Sequence, residues 1–285
     1  MPELPEVETT ARGLRGRIVG RVVRGVDVRW ARTVANLPPD GLAAALAGRR
    51  VRAVGRRGKL LLIHFDDGSS VAIHRRMTGN LLHRPAGAEE EPHLRLALRF
   101  DDGSALRFVD SRKFGRLAYF PTQAVLECYL DETTGVEPLD DLDAARLAAL
   151  LAGRRRLKPL LLDQKVLAGI GNLYADEILW HARLHPERIA GDLGREELER
   201  LGTAIRAVLS EAIERRGTSL SDYRDAAGEP GENQAYLQVY GRAGLPCGRC
   251  GSAIRKYVLG QRGTHLCPSC QLLGQPDALA GAVLT

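Results

Sequence analysis

Two residues at the start of the chain, Pro2 and Glu3, combine an amine nucleophile with a carboxylate that can carry a proton. Methionine is normally trimmed before a residue as small as proline, so we expect the mature chain to begin with the free secondary amine of Pro2. An α-amine titrates near ~8 and a lysine near ~10.4, so far more of a terminal amine is unprotonated at neutral pH. Its attack on a sugar C1′ or a carbonyl would give a cationic iminium, where Glu3 could give or take a proton. The same segment also fits a plain helix start, because proline and Glu6 both suit the first helical turn.

A second group with clear chemistry is formed by four cysteines in two pairs, Cys247, Cys250, Cys267 and Cys270. The sixteen residues between the pairs (251 to 266) fit one β-hairpin, and each pair can supply two corners of a tetrahedron. We therefore predict one structural Zn²⁺, because four thiolates leave no open position for catalysis. A turn midway, Gly260-Gln261-Arg262-Gly263, would put Arg262 at the hairpin tip.

The pentapeptide Phe-Asp-Asp-Gly-Ser occurs twice, at 65–69 and 100–104, and each copy is followed by a polar stretch that contains one large apolar residue before a glycine. These residues are Met77 and Phe114, and Arg112 lies in the second stretch. Apolar side chains on loop tips could wedge into a duplex and fill the gap left by an extruded base. The alternative is that Met77 and Phe114 pack inward.

The elements that would position these residues change type along the chain. Helical spacing of apolar residues predicts an amphipathic helix from Pro5 to about Leu14, closed by Gly16 and Gly20. The next hundred residues read as short strands, predicted at 21–28, 51–54, 60–65, 71–74, 94–100 and 105–109, with Asp-Gly hairpin turns. Lys59 lies at the mouth of one strand and could contact phosphate.

The second half of the chain reads as helical up to Gly217. Asp140 or Asp141 is predicted to cap a helix that ends at Leu151, and a longer helix should run from about Arg195 to Arg216. Between them two helical patterns are joined by Gly-Ile-Gly-Asn, residues 169–172, where glycines let backbone N–H groups approach an anion and Asn172 would cap the following helix. A plain helical hairpin remains the alternative.

Composition limits the class of protein. The 285 residues are 44% hydrophobic, enough for a sizeable core and for two domains. Lys and Arg exceed Asp and Glu by 41 to 35, which fits a polyanionic partner. No apolar run reaches ~18 residues and no signal-peptide layout is present, so we expect a cytosolic protein without a membrane partner. The remaining cysteine, Cys128, is expected to be buried.

Together these stretches resemble one family, the formamidopyrimidine-DNA glycosylases, whose fold is shared with the endonuclease VIII group. The matching segments are the opening Pro-Glu-Leu-Pro-Glu-Val-Glu-Thr-Thr, the Met-Thr-Gly and Arg-Lys-Phe-Gly loops, Gly-Ile-Gly-Asn-Leu-Tyr-Ala-Asp-Glu, and Tyr-Gly-Arg before the cysteines. The resemblance implies an α+β fold: an N-terminal β-sandwich (1–132), a helix-two-turn-helix region (133–235), a zinc-finger hairpin (236–271) and a mobile tail (272–285). It implies a monomer that acts on damaged double-stranded DNA in the bacterial cytoplasm.

The resemblance also implies roles for individual residues. Pro2 would be the Schiff-base nucleophile and Glu3 the general acid/base, while Lys59 and Arg262 would act in strand cleavage and phosphate binding. The DNA-binding set comprises Glu6 as a supporting acid, His74, His93, Lys158 and Asn172, with Met77, Arg112 and Phe114 as the void-filling trio. The activity implied is excision of oxidised purines followed by β,δ-elimination.

The chain departs from the family pattern at three places. Arg75-Arg76 replaces the commoner Leu-Gly or Leu-Arg before Met77, and Arg154-Arg155-Arg156 replaces a lysine-rich run. Within the loop 218–236, Gly-Glu-Asn-Gln replaces Gly-x-Phe-Gln, which leaves the identity of the lesion open. Two other functions therefore stay in view: an endonuclease VIII-like enzyme for oxidised pyrimidines, against which Leu4 argues, and a zinc-ribbon protein that binds DNA without chemistry.

Overall fold

The computed structural model describes residues 2–140 and 142–274 of the chain. Two compact units can be distinguished: the first contains residues 1–135 and 211–235, and the second contains 136–210 and 236–285. The predicted boundary near residue 132 lies close to the first division. Residues 211–235, however, group with the first unit and not with the helical region, because the Thr218 backbone N–H donates to the Glu6 carboxylate of that unit. The tail beyond residue 274 lies outside the described residues.

Helix α1, Leu4–Ile18, anchors the start of the chain. Glu3 is its N-cap residue and Pro5 lies in its first turn. Its apolar face, which includes Val7, Ala11 and Leu14, is fully buried in the core of the first unit. The predicted helix is confirmed, but it continues through Gly16, because Ile18 adds one more buried turn to that face.

Two four-stranded antiparallel sheets form the rest of the first unit's core. The strands are β1 (Val23–Val28), β2 (Val51–Arg57), β3 (Leu60–Phe65), β4 (Ser70–His74), β5 (Asn80–Arg84), β6 (Leu94–Phe100), β7 (Ala105–Val109) and β8 (Arg116–Phe120). One sheet has the order β2-β3-β4-β8 and the other β1-β6-β7-β5. Apolar side chains of both sheets share one core with α1, so the predicted β-sandwich is confirmed.

The strand prediction missed β5 and β8, and it ended β2 too early. Each missed strand follows directly on a loop glycine, Gly79 or Gly115, so its start is hidden within a loop pattern. Helices α2 (Pro39–Leu46) and α3 (Gln123–Thr133) were not predicted either. Cys128 on α3 is exposed, contrary to the expectation that it is buried, because it lies on the outer face of a short helix whose buried residue is Leu126.

The repeated pentapeptide forms the same hairpin turn twice, between β3 and β4 and between β6 and β7. In each copy the second aspartate accepts hydrogen bonds from the backbone and the hydroxyl of the serine two residues later, at 3.0 and 2.6 Å. Gly68 and Gly103 have φ values of 86° and 82°, a conformation that glycine adopts without strain. The two copies therefore place the Met77 and Phe114 loops at equivalent points of the two hairpins.

The second unit contains helices and one hairpin. The helices are α4 (Ala144–Leu150), α5 (Leu157–Leu161), α6 (Asn172–Ala182) and most of α7 (Arg195–Glu214), and the hairpin strands are β9 (Arg255–Leu259) and β10 (Arg262–Leu266). Asp143 caps α4, because its side chain accepts the Arg146 N–H, so the predicted cap at Asp140 is wrong; Asp141 lies outside the described residues. Gly171, not Asn172, is the N-cap of α6. Within the described ranges, no helix has both the length and the apolarity that a membrane crossing needs.

Candidate active site and zinc site

The start of α1 holds Pro2 and Glu3 in a buried position. The Glu3 backbone N–H donates to Glu6 Oε2 at 2.8 Å, as in a capping box, and Glu6 Oε1 accepts the Thr218 N–H at 2.8 Å. Glu3 and Glu6 are 4% and 2% exposed. The Glu6 carboxylate therefore ties the chain start to the segment that begins at Gly217, and bulk water has little access to either acid.

Lys59 lies in the two-residue turn between β2 and β3, where Gly58 has a φ of 55°. Its neighbour Leu60 pairs with His74, and Lys59 itself is 8% exposed. Burial, together with the charges of Arg76 and Lys59, lowers the pKa of His74 to about 4, so this imidazole is neutral at physiological pH. Its Nδ1 accepts the Arg76 N–H at 3.0 Å, which leaves Nε2–H as the donor that could reach a phosphate.

The loops that carry Met77 and Phe114 contact each other through Thr78, whose hydroxyl donates to Asp110. The other oxygen of Asp110 accepts the Gly115 N–H at 2.7 Å. Met77 and Phe114 are 44% and 48% exposed, so the alternative that they pack inward is wrong. These two apolar side chains are presented to solvent on loops whose backbones are fixed by one buried aspartate.

Arg112 and His93 are exposed near the same aspartate. The Arg112 guanidinium lies 5.0 Å from the centroid of the Phe114 ring, within range of a cation–π contact. The Asp110 N–H donates to the His93 carbonyl at 3.0 Å, and His93 has a φ of 68°. Sequence reasoning assigned no role to Asp110, although its position directly after β7, before an Arg-Lys-Phe-Gly loop, is a usable signal.

In the second unit, Lys158 is fully buried and forms an ion pair of 2.6 Å with Asp176. Its ammonium also donates to the Gly263 carbonyl at 3.0 Å, and the Asn172 amide donates to the same carbonyl at 2.9 Å. Lys158 was predicted to bind DNA, but its ammonium lies in the protein interior. We therefore revise its role: with Asn172 it fixes the backbone next to Arg262.

Two acidic residues of α6 have positions that sequence reasoning did not foresee. Asp176 Oδ2 accepts the His265 backbone N–H at 2.9 Å, which holds β10 against the helix. Glu177 accepts the N–H groups of residues 238–240 at 2.8 to 2.9 Å. Burial raises the pKa of Glu177, against the effect of these hydrogen bonds. The adjacent Asp-Glu pair on an apolar helix was the available signal, because buried acids need partners.

Arg262 is the first residue of β10 and flanks the two-residue turn Gly260-Gln261, so the predicted place at the hairpin tip is confirmed. Both turn residues have positive φ, 55° and 61°, as a tight hairpin turn with the native twist requires. Arg262 is exposed. The hairpin thus presents Arg262 next to its turn, while Lys158 of α5 and Asn172 and Asp176 of α6 hold the β10 residues that follow.

The four cysteine sulfurs lie within 4.8 Å of one another. Tetrahedral zinc with bonds of about 2.3 Å places ligands about 3.8 Å apart, and the Cys247–Cys270 and Cys250–Cys267 sulfurs are separated by 4.0 and 3.4 Å. Hydrogen bonding from Ser252 lowers the pKa of Cys250 to about 6, which favours the thiolate that a metal needs. The residues fit one structural Zn²⁺, as predicted.

Within the first unit the structure brings together Pro2, Glu3 and Glu6, places His74 on the strand paired beside Lys59, and joins the Met77 and Phe114 loops. Within the second unit it brings Lys158 and Asn172 to the carbonyl that follows Arg262. The predicted residues thus form three local sets in the first unit and one in the second.

Three family models match the chain in order. Residues 1–117 match the formamidopyrimidine-DNA glycosylase N-terminal domain, residues 134–224 match its H2TH domain, and residues 244–272 match the zinc finger found in FPG and IleRS. The matches cover the β-sandwich, the helices and the cysteine hairpin described above.

Relatives and solved structures agree with these matches over nearly the whole chain. Formamidopyrimidine-DNA glycosylases from Roseiflexus sp. and Chloroflexus aggregans are 48% and 47% identical, with 95% and 96% of this chain and 100% of each relative covered. A Lactococcus lactis FPG mutant in complex with Fapy-dG DNA superposes with a TM-score of 0.88 at 37% identity, covering 95% of this chain and 99% of that one. Lactococcus lactis Fpg with abasic-site DNA gives 0.88 at 36% identity, covering 94% and 99%. The chain therefore belongs to the formamidopyrimidine-DNA glycosylase family of enzymes.

Proposed function

We propose that this enzyme excises oxidised purines, 8-oxoguanine and formamidopyrimidines, from duplex DNA and then cleaves the strand by β,δ-elimination. The observation that carries the proposal is the buried chain start, where Pro2 and Glu3 stand together at the head of α1. Solved relatives bound to Fapy-dG DNA and to abasic-site DNA support both halves of the reaction. DNA is the partner, and the bacterial cytoplasm is the compartment that holds it.

The mechanism begins with the Pro2 amine, which forms a bond to C1′ of the damaged nucleotide while the base leaves with the glycosidic electron pair. Glu3 protonates the ring oxygen as the sugar opens, and the nitrogen becomes an iminium. The iminium accepts the electrons released when a C2′ proton is removed, so the 3′ phosphate departs, and a second elimination releases the 5′ phosphate. Low exposure of Glu3, at 4%, keeps water from competing for the reactive centre.

The proposed DNA contacts rest on the chemical type of each side chain. Lys59, His74, His93 and Arg262 would contact phosphates, and the neutral His74 would do so through Nε2–H. Met77 and Phe114 would enter the stack where the damaged base has left, since both are apolar, exposed and held on fixed loops. Glu6 supports the site from within by holding Glu3 and Thr218.

The segment 217–234 is the part that would contact the extruded base. Asn233, at the position where the family commonly has phenylalanine, is buried and donates to the Thr218 hydroxyl at 2.9 Å. Gly231 permits this fold, because a Cβ there would lie 2.1 Å from the Gly217 carbonyl. The segment is thus closed by polar contacts in place of an aromatic side chain.

Substrate preference tests this proposal against the endonuclease VIII-like alternative. The single-turnover rate of excision should be at least about ten-fold higher for 8-oxoguanine opposite cytosine than for 5,6-dihydrouracil in a duplex of the same flanking sequence. About ten-fold is the scale set by one good base contact. A preference for the pyrimidine would favour the alternative activity. Binding without any excision of either base would leave a DNA-binding protein and refute the enzymatic proposal.

Arg112 should set the preference for the base opposite the lesion. An arginine beside Phe114 can donate to the O2 and N3 acceptors of an unpaired cytosine, whereas adenine presents a donor on that edge. Arg112→Ala should reduce the preference for cytosine over adenine by ~1–3 kcal/mol, the worth of a good bidentate base contact. Single-turnover cleavage of 8-oxoguanine opposite each base measures this ratio.

The matched control for this variant is Lys113→Ala, which removes the same charge from the next residue. The Lys113 ammonium lies 4.3 Å from the centroid of the Trp30 ring and so has a different neighbour. Lys113→Ala should weaken DNA binding without changing the ratio of cleavage opposite cytosine to cleavage opposite adenine. Cleavage at an abasic site should survive in both variants. An unchanged cytosine-to-adenine ratio in Arg112→Ala would mean that Arg112 only contacts phosphate.

A further inference from the structure

Arg75 is a buried cation whose hydrogen bonds reach three separate segments of the first unit. It is 1% exposed and stands where the family commonly has leucine. Taking a guanidinium out of water costs several kcal/mol unless its donors are satisfied. A chain that keeps a charge at this position, where an apolar residue would fit, needs a reason beyond packing.

All five N–H donors of Arg75 are used. Nε donates to the Gly79 carbonyl at 2.7 Å, which closes the turn that carries Met77. Nη1 donates to the Thr10 hydroxyl at 2.6 Å and to the Glu6 carbonyl at 3.5 Å, both on α1. Nη2 donates to Asn80 Oδ1 at 2.6 Å and to the Arg224 carbonyl at 3.1 Å.

Asn80 extends the reach of Arg75 along the segment 217–234. Its Oδ1 also accepts the Arg224 N–H at 3.0 Å, and its Nδ2 donates to the Asp222 carbonyl at 2.7 Å. The Arg75 guanidinium lies 5.1 Å from the centroid of the Tyr223 ring, whose hydroxyl donates to the Arg216 carbonyl at 3.2 Å. Three consecutive residues, 222–224, are therefore fixed by Arg75 and Asn80.

We propose that Arg75 is a positioning residue for reading the damaged base: it holds the segment 217–234 in register with the Glu3–Glu6 end of α1. The inference rests on the proposed function, because that segment is assigned there to the extruded base. A leucine makes none of these bonds, so its variant would lose the guanidinium link between the segment and Thr10 and Glu6 of α1, while the bonds from β5 to residues 222–227 would remain. Excision of a damaged base then depends on Arg75, whereas cleavage at an abasic site, which has no base to read, does not.

The test compares two substrates under single-turnover conditions, 8-oxoguanine opposite cytosine and a preformed abasic site. Arg75→Leu should slow base excision by about 10- to 100-fold, the scale of a misplacement near 1 Å. Abasic-site cleavage should change by less than about two-fold, because the nucleophile is untouched. Arg75→Lys, with three donors in place of five, should give an intermediate loss of excision.

Two further variants separate the contact of Arg75 with Asn80 from its contact with Thr10. Asn80→Ala keeps the guanidinium and its bond to the Arg224 carbonyl but removes the Asn80 bonds to residues 222 and 224. It should reproduce the selective loss of excision even if Arg75→Leu does not fold. Thr10→Val removes one contact to α1. Arg99→Leu, which takes one charge from an exposed position on β6, is the control and should change neither rate.

Hydrogen exchange without DNA gives a readout that does not depend on activity. Amides of residues 219–231 should exchange faster in Arg75→Leu and Asn80→Ala than in wild type, while those of β3 and β4 should not. Equal losses on both substrates together with faster exchange throughout the first unit would show a merely structural role, and unchanged excision would also overturn the inference. Wild-type protein that cleaves neither substrate would refute the proposed function itself, and this inference with it.

Discussion

Protein that keeps Met1, or that carries one added residue before Pro2, should cleave 8-oxoguanine duplexes at least about 10³-fold more slowly than protein that begins at Pro2. An amide nitrogen has no available electron pair, so the attack on C1′ cannot start. Single-turnover cleavage of both preparations measures the difference.

The control is restoration of the amine. Releasing the extra residue with a protease that leaves Pro2 at the terminus should return cleavage to the original rate. Blocked protein should still bind lesion duplexes, because the exposed contacts at Met77, Arg112 and Phe114 are unchanged. Full cleavage by blocked protein would rule out the terminal amine as the nucleophile.

Replacing Cys267 by serine should reduce zinc affinity by more than about 100-fold, since even residues that merely support a ligand contribute 10- to 100-fold. The loss should loosen the β9–β10 hairpin, because Cys267 follows β10 directly and is fully buried. DNA affinity should fall with it, since Arg262 is carried by that hairpin. Metal analysis and binding titrations give the two quantities.

The two tryptophans of the chain can report which unit the Cys267→Ser substitution perturbs. The Trp180 indole N–H donates to Cys247 Sγ at 3.4 Å, whereas Trp30 lies in the first unit. In single-tryptophan variants, Cys267→Ser should change the emission of Trp180 and leave that of Trp30 unaltered. Cys128→Ser, an exposed cysteine outside the cluster, should change neither zinc content nor emission. Pure, active protein without zinc would contradict the assignment.

The sequence predicts local features well where a short pattern has one physical solution. Cysteine spacing specifies the metal site, the Asp-Gly-Ser turns specify two hairpins, and periodicity specifies α1 and α7. Helix capping at α4 and α6 was predicted wrongly because Asp140, Asp141 and Asp143 are equivalent by pattern, and so are Gly171 and Asn172. The choice depends on tertiary contacts, such as the bond from Asn172 to the Gly263 carbonyl.

Prediction of the candidate site from the sequence has the same limit. Residue types and order indicate Pro2, Glu3 and the exposed Met77 and Phe114 as candidates, since the role proposed for each rests on its own chemical group. Lys158 and Arg75 could not be interpreted correctly from sequence, because a basic residue reads as a surface charge. Only the fold brings Asp176 to Lys158 and the Arg224 carbonyl to Arg75, from sequence distances that no local pattern spans.

Borohydride trapping followed by peptide mapping identifies the nucleophile. Protein incubated with an 8-oxoguanine duplex and borohydride should form a covalent complex, and digestion should place the sugar remnant on the peptide that begins with Pro2. Glu3→Gln should slow the formation of this adduct without moving it. An adduct on Lys59, or strand cleavage without any trapped complex, would rule out Pro2 as the nucleophile.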